Sequence, residues 1–259
     1  MSETRIRAEI RGPIAILTLD RPQKLNALDS LMIEAIEDWV AATERNRAVR
    51  VAILTGAGEK AFSAGGDIEA WAGLDPIGFG RHWIRDGHRV FDRLARLRQP
   101  LIAVLNGAAF GGGLELAGCA DLIVAEVHAR LGLPETGLAM TPGWSGTQRL
   151  VRRFGSRTVK RMALAGEMIG ADEALAQGLV DAVAAKGDGL TQGLALAETI
   201  AARGPIAVQV VKSLINAAEG EETEAAIEAL AGSLVATTAD LAEGVAAFRE
   251  KRKALFEDR

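Results

Sequence analysis

The sequence predicts an α/β core followed by a helical C-terminal segment, and three observations carry that expectation. Short β-branched runs at Ile14–Leu19 (IAILTL), 51–55 (VAILT) and Leu101–Leu105 (LIAVL) lack apolar/polar alternation. That is the pattern of strands covered on both faces. Strand, glycine turn and helical spacing then recur in loosely similar units. Beyond Lys186-Gly187-Asp188-Gly189, only helical spacing remains.

The first strand stops at Asp20-Arg21-Pro22, and residues 27–43 place Leu28, Leu31, Met32, Ala35, Ile36 and Trp39 at helical intervals. The strand at 50–55 runs into the glycine-rich stretch GAGEKAFSAGGD. A polar and aromatic region at 71–83 precedes another helix, which ends near Arg98 before Pro100. Leu101–Leu105 leads into NGAAFGGG, then a short helix from Leu114 and a strand at 121–125. The stretch 186–189 is expected to link a catalytic core, residues 1–190, to a helical domain, residues 191–259. Helices are expected there at 194–202, Pro205–Ala218, 222–236 and 239–256, with Pro205 suited to a first helical position.

Apolar residues make up 49% and charged residues 25%, ordinary for a soluble globular protein. A net charge of −4 argues against broad binding to nucleic acid but leaves room for a phosphate-bearing ligand held by a few local donors. Cys119 is the single cysteine, and His82, His88 and His128 show no metal-ligand spacing, so no metal is expected. The charged N-terminus, MSETRIRAEIRG, does not read as a secretion signal. Residues 101–125 have the length of a membrane span, but Asn106, Glu115, Asp121 and five glycines interrupt them. A soluble, cytoplasmic protein with no membrane association is the expectation.

The most informative stretch is NGAAFGGGLELAG, residues 106–118. A buried strand enters Gly111, Gly112 and Gly113, and a helix leaves them. Without Cβ atoms, these residues let a ligand approach main-chain N–H groups at a helix start. Such donors can hold an oxyanion, and one of them is worth roughly 2.7–4 kcal/mol of barrier. Glu115 lies just inside that helix, although a first-turn acid also complements the helix dipole without any catalytic role. Glu135, in GLPETGL, alone reads as a solvated first-turn acid. Paired with Glu115 it gains interest, because two carboxylates around one water can divide base and acid roles. In AFSAGGDI, Gly65 and Gly66 could present a second donor, with Asp67 fixing the loop.

Two patterns are set aside. GAGEKA after a strand fits a loose dinucleotide fingerprint, but no helix follows. Ser145 in GWSGT lacks the GxSxG spacing of a nucleophile elbow.

Taken together, these motifs resemble the crotonase (enoyl-CoA hydratase/isomerase) family nearly end to end. The resemblance rests on RPQKLNAL at 21–28, AFSAGGDI, NGAAFGGGLELAGCAD, GLPETGLAMTPGWSGTQRL at 132–150 and EGVAAFREKRKALF at 243–256. It implies a spiral of strand–strand–helix units, with a C-terminal helical domain used for trimer formation, often as a dimer of trimers. The implied activity is reversible syn hydration of a trans-2-enoyl-CoA, with coenzyme A as part of the substrate and no cofactor. By matching positions, Gly66 and Gly112 would form the oxyanion hole, Glu115 would act as base and Glu135 as acid. Lys24, Leu25, Ala27, Ala64, Asp67 and Ile68 would lie along the coenzyme A, and Lys251 would reach that of a neighbouring subunit.

The resemblance has departures. Some relatives carry alanine where Gly66 stands, read as harmless because only the N–H is used. A ligand-binding aromatic of some hydratases falls near Gly232 and is not carried over. Trp144 and Ser145 stand where PGxGGT has small residues, so Trp144 either narrows the acyl pocket or fills core. Trp71 and Leu138 are further acyl-pocket candidates, with Leu74, Ile77 and Phe79 in the same lid region. Rivals are a double-bond isomerase of the same family, which needs one strong acid/base group, and a catalytically silent assembly or RNA-associated protein on this fold.

Overall fold

The computed structural model describes residues 5–259, with the backbone alone at 224–226. Its strands are β1 (Ile6–Arg11), β2 (Ile14–Leu19), β3 (Val51–Gly56), β4 (Ala61–Ser63), β5 (Leu101–Leu105), β6 (Ala108–Phe110), β7 (Leu122–Glu126), β8 (Arg130–Gly132), β9 (Ile169–Gly170) and β10 (Ala182–Ala184). The helices are α1 (Ser30–Arg45), α2 (Ile68–Trp71), α3 (Pro76–Gly78), α4 (Arg85–Ala95), α5 (Gly112–Ala117), α6 (Arg149–Phe154), α7 (Ser156–Ala165), α8 (Ala171–Ala176), α9 (Gly189–Ala201), α10 (Pro205–Ala218), α11 (Thr223–Val235) and α12 (Ala239–Glu250).

The expected apolar strands form one sheet in the order β1-β2-β3-β5-β7-β10, parallel except for the β1–β2 hairpin. Parallel register aligns Ile16 with Ile53 and Ile53 with Ile102. Alternate residues of each strand enter different cores. Ile16, Ile53, Ile102 and Val124 pack on one face with Ala197 and Ala201 of α9. Leu17, Leu54, Ala103 and Ile123 pack on the other, with Met32, Ile36, Phe91 and Leu94 of the inner helices. Both faces are dry, which explains the missing alternation.

The second strand of each unit is short. β4, β6 and β8 pair in parallel in a four-stranded sheet closed by antiparallel β9. Leu28 joins this layer through an isolated bridge to Gly66, so helix α1 begins at Ser30 rather than at residue 27. Asp29 caps it, accepting from Met32 N at 3.0 Å. Strand, second strand and helix therefore repeat along the chain, the spiral that the resemblance implies.

The chain divides into two compact units, Met1–Gln209 and Val210–Arg259. The division falls within α10, beyond the expected boundary near residue 190. The reason is α9, which covers the outer face of the large sheet, so 186–189 is a turn within the core. Glu126 accepts there from Gly187 N at 2.9 Å. In the second unit, α12 ends at Glu250, short of the expected 256, where Lys251 turns left-handed at φ 53°.

Gly193 lets α9 approach the sheet, since a Cβ there would lie 2.5 Å from Val104 Cγ2, whereas one on Gly232 meets nothing within 4 Å. Gly193→Ala should therefore lower stability by about 1–2 kcal/mol through overpacking. Gly232→Ala should raise it by about 1 kcal/mol through helix propensity. Urea denaturation midpoints moving in the same direction for both would contradict this packing.

Candidate active site

The second sheet builds a pair of main-chain donors. Parallel pairing of β4 with β6 lays the turns that follow them side by side. After β4 the chain passes through Gly65 at φ +98°, where a Cβ would also meet Phe110 O at 2.8 Å, so glycine is required. Leu28 N donates to Gly65 O, and Asp67 N donates to Leu28 O, at 2.8 and 2.7 Å. This parallel bridge leaves Gly66 N–H without an acceptor among the described residues. After β6, Gly111 turns at φ +52° into α5, and Gly112 N is the first helical donor, which no intrahelical carbonyl can reach. A Cβ on Gly112 would sit 3.4 Å from Gly66 N, so the two N–H groups are neighbours at one cavity.

Both glutamates reach the same cavity. Glu115 is 3% exposed, and its Oε1 accepts from Trp144 N and Gly146 N, each at 2.7 Å. Burial pushes its pKa up to about 7; the carboxyl of Glu135 adds to the rise, while the two N–H donors oppose it. Glu135 enters from a 3-10 turn, Glu135–Leu138, and lies beside Gly111, where a Cβ would be 2.9 Å from its Oε1. Neither of its oxygens makes a side-chain hydrogen bond among the described residues. Burial raises its pKa too, opposed only by its own main-chain N–H.

Ala64 and Ile68 line the cavity mouth. Leu25 accepts from Ala64 N at 2.9 Å, which sets the turn carrying Lys24, Leu25 and Ala27 beside it. Asp67 fixes the loop as expected, accepting from Glu69 N at 3.1 Å. Its carboxylate is also taken up by Arg21 Nη1 at 2.6 Å, with Lys24 Nζ at 3.7 Å. Burial opposes ionisation of Asp67, yet Arg21 and the Glu69 N–H hold its pKa below the usual value. Lys24 pairs with Glu69. Lys251 is exposed in the second unit.

The apolar wall differs in part from expectation. Trp71, Leu138 and Trp144 line the cavity, but Leu74 and Ile77 are exposed and do not. Phe79 packs edge-on to Trp71, with centroids 5.6 Å apart. Trp83, at the end of the 71–83 lid region, completes the wall with Ile84 and Met140, neither of which the sequence singles out. A π-helical turn, Phe79–Ile84, carries the first two inward, and no periodicity announces it.

Trp144 fills core and walls the pocket at once. It is 3% exposed, its Nε1 donates to Trp83 O at 3.1 Å, and its ring stacks near Trp83 and Phe91 at 5.0 and 5.1 Å. The indoles lie on the donor glycines: a Cβ on Gly66 would sit 2.9 Å from Trp83 Cζ2, and one on Gly112 2.7 Å from Trp144 Cζ3. Alanine at Gly66 is therefore not harmless in this chain.

No helix follows Gly56-Ala57-Gly58, as expected. The buried side chains of Asn26 and Asn106 hold this crossover, donating to Ala57 O at 3.0 Å and Gly58 O at 2.7 Å. Ser145 stands near a histidine and an aspartate, an arrangement the sequence does not advertise. Its Oγ donates directly to Asp92 at 3.1 Å and lies almost equally far from both His88 nitrogens, 3.4 and 3.3 Å. It is absent from the cavity lining, so no nucleophile relay is built. Among the described residues, no group of three or more His, Cys, Asp or Glu is arranged to hold a metal.

A model of the enoyl-CoA hydratase/isomerase family matches residues 9–259. The chain is 38% identical to a crotonyl-CoA hydratase of Syntrophomonas wolfei, covering 99% of both chains. It is 38% identical to a short-chain-enoyl-CoA hydratase of Clostridium acetobutylicum, over 98% of this chain and 97% of that one. An enoyl-CoA hydratase structure from Bacillus anthracis superposes with a TM-score of 0.81 at 35% identity, covering 99% and 100% of the two chains.

The raised pKa of Glu115 carries a stability consequence. The folded state holds its proton more tightly than the unfolded chain does, so stability is lost as pH rises from 4.5 to about 7. A shift of that size corresponds to at most about 3 kcal/mol. Glu115→Gln, which never ionises, should be more stable than the parent at pH 8 by up to that amount. The advantage should fade towards pH 4.5, as thermal unfolding at the two pH values would register.

Proposed function

The chain belongs to the enoyl-CoA hydratase/isomerase family, and from that premise we propose how its residues carry out hydration of a trans-2-enoyl-CoA to a 3-hydroxyacyl-CoA. One observation carries the reading: two buried carboxyls share one cavity with two main-chain N–H groups that have no acceptor among the described residues. The thioester oxygen lies between Gly66 N–H and Gly112 N–H. Ionised Glu115 takes a proton from water, and the water oxygen bonds to Cβ. The π electrons move onto the thioester as an enolate, which the two N–H groups stabilise. Protonated Glu135 then delivers a proton to Cα as the enolate collapses. The product has gained one water, and the proton on Glu115 resets Glu135 through exchange.

The division of labour follows from environment. The roles are assigned by hydrogen bonding rather than by burial, which raises both pKa values and pushes that of the deeper Glu115 up to about 7: Glu115 accepts from Trp144 N and Gly146 N, donors that hold and orient its anion, whereas Glu135 meets only its own N–H. Coenzyme A is part of the substrate, and no metal or redox cofactor enters any step. Its nucleotide runs past Lys24, Leu25, Ala27, Ala64, Asp67 and Ile68, the side chain of Asp67 serving to fix the loop. Lys251 reaches the coenzyme A of a neighbouring subunit. The assembly is a homotrimer or dimer of trimers, supported by exposed Leu234, Leu241, Val245 and Phe248 on α11 and α12. The setting is cytoplasmic, without nucleic acid or membrane; among the described residues no single helix is long and apolar enough to cross a bilayer.

The cavity measures about 130 Å³. An apolar cavity of about 150 Å³ accepts benzene, so this space suits a short acyl group. Trp144, locked by Trp83 and Phe91, closes its end.

Glu115→Gln and Glu135→Gln should each lower kcat by about 10²–10⁴-fold while binding of a saturated acyl-CoA stays within a few-fold. Near-parent turnover in either variant removes that residue from its role. Four-carbon enoyl-CoA should be hydrated at least about tenfold more efficiently than the ten-carbon homologue. In Trp144→Ala that ratio should narrow, and equal efficiency in the parent enzyme would reject the short-chain assignment.

A further inference from the structure

Glu115 owes its orientation to a turn in a distant stretch of chain. The two N–H groups on its Oε1 belong to Trp144 and Gly146, and Ser145 stands between them. Ser145 is buried and adopts φ +75°, a left-handed conformation that side chains other than glycine take at a cost. Two bolts hold it there. Its Oγ donates to Asp92 Oδ1 at 3.1 Å, and Arg149 N donates to Ser145 O at 2.8 Å. Arg149 Nη2 closes the ring by donating to the same Asp92 Oδ1 at 2.6 Å. Asp92 belongs to α4 and Arg149 opens α6, so the turn is tied to helices on both sides. None of the three side chains lines the cavity.

We propose that Ser145 and Asp92 are positioning residues for the base: they hold the turn left-handed, which keeps both N–H donors on Glu115. The proposal rests on the reading of Glu115 as base. Without the Oγ anchor, a non-glycine residue at 145 relaxes out of the left-handed region. That rotation swings the peptide between residues 145 and 146 and withdraws Gly146 N–H from the carboxylate. A carboxylate that loses a donor ionises less readily, so its acid limb moves to higher pH. Glycine holds φ +75° without an anchor. The side chain is thus needed only because it is not glycine.

The charged groups around Asp92 are His88, Arg149 and, further off, Arg96; Glu135 faces Glu115. Ser145 variants leave all of them in place. The test compares Ser145→Ala, Ser145→Gly, Asp92→Ala and Glu115→Gln in the full chain, using a short enoyl-CoA across pH 5–9. Ser145→Ala should lose at least about tenfold in kcat at pH 7, with KM within about twofold and the acid limb about one pH unit higher. Asp92→Ala, which removes the acceptor, should follow it, and Ser145→Gly should keep parent-like kcat and limb. A parent-like Ser145→Ala, or a Ser145→Gly as impaired as Ser145→Ala, overturns the proposal. If Ser145→Ala does not fold, a parent-like limb in Asp92→Ala overturns it equally. An active Glu115→Gln sinks the assignment of the base itself, an outcome separate from failure of the positioning claim.

Discussion

Parallel pairing of β4 with β6 is the constraint on which the site depends. Ala61 opposes Ala108 and Ser63 opposes Ala109, so the turn after each strand leaves the sheet at the same edge. Gly65 and Gly111 reverse the chain there with positive φ, and each is followed by a residue whose N–H finds no acceptor among the described residues. Unpaired donors at a dry site are costly unless a ligand satisfies them. The core absorbs that cost: each second strand follows a main-sheet strand buried on both faces, and buried Asn26 and Asn106 fasten the crossover between them.

The carboxyls illustrate how environment sets function. Glu115 and Glu135 are the same side chain, and burial disfavours the anion of both. What separates them is depth and main-chain geometry: Glu115 lies deeper, with its pKa pushed up to about 7, and accepts from Trp144 N and Gly146 N, whereas Glu135 meets only its own N–H. Asp67 shows the opposite arrangement, with Arg21 and a helix cap holding it charged. A carboxylate committed in this way is scaffolding, and an under-satisfied one is available for proton transfer.

Much of this was legible in the sequence, for definite reasons. Strands covered on both faces write themselves as unbroken apolar runs, so β2, β3 and β5 could be read directly. β4, β6 and β8 are three residues each, too short for any period, and their glycine-rich surroundings look like loops. The glutamate pair and the glycine donors were accessible through motif spacing. Ile84 was not, because the π-helical turn that carries it and Trp83 has no periodicity to announce it. Likewise α9 has the composition of any helix, and what marks it as part of the core, Gly189 and Gly193 against Val104, emerges only in three dimensions.

The contact of the Trp83 and Trp144 indoles with the alpha carbons of Gly66 and Gly112 ties the histories of these positions together. A methyl group could enter at either glycine only in a lineage whose facing indole had already given way to something smaller. Aromatic size and glycine identity must then drift as linked pairs, and a chimera that exchanges one member without the other would inherit a collision at these two main-chain N–H groups.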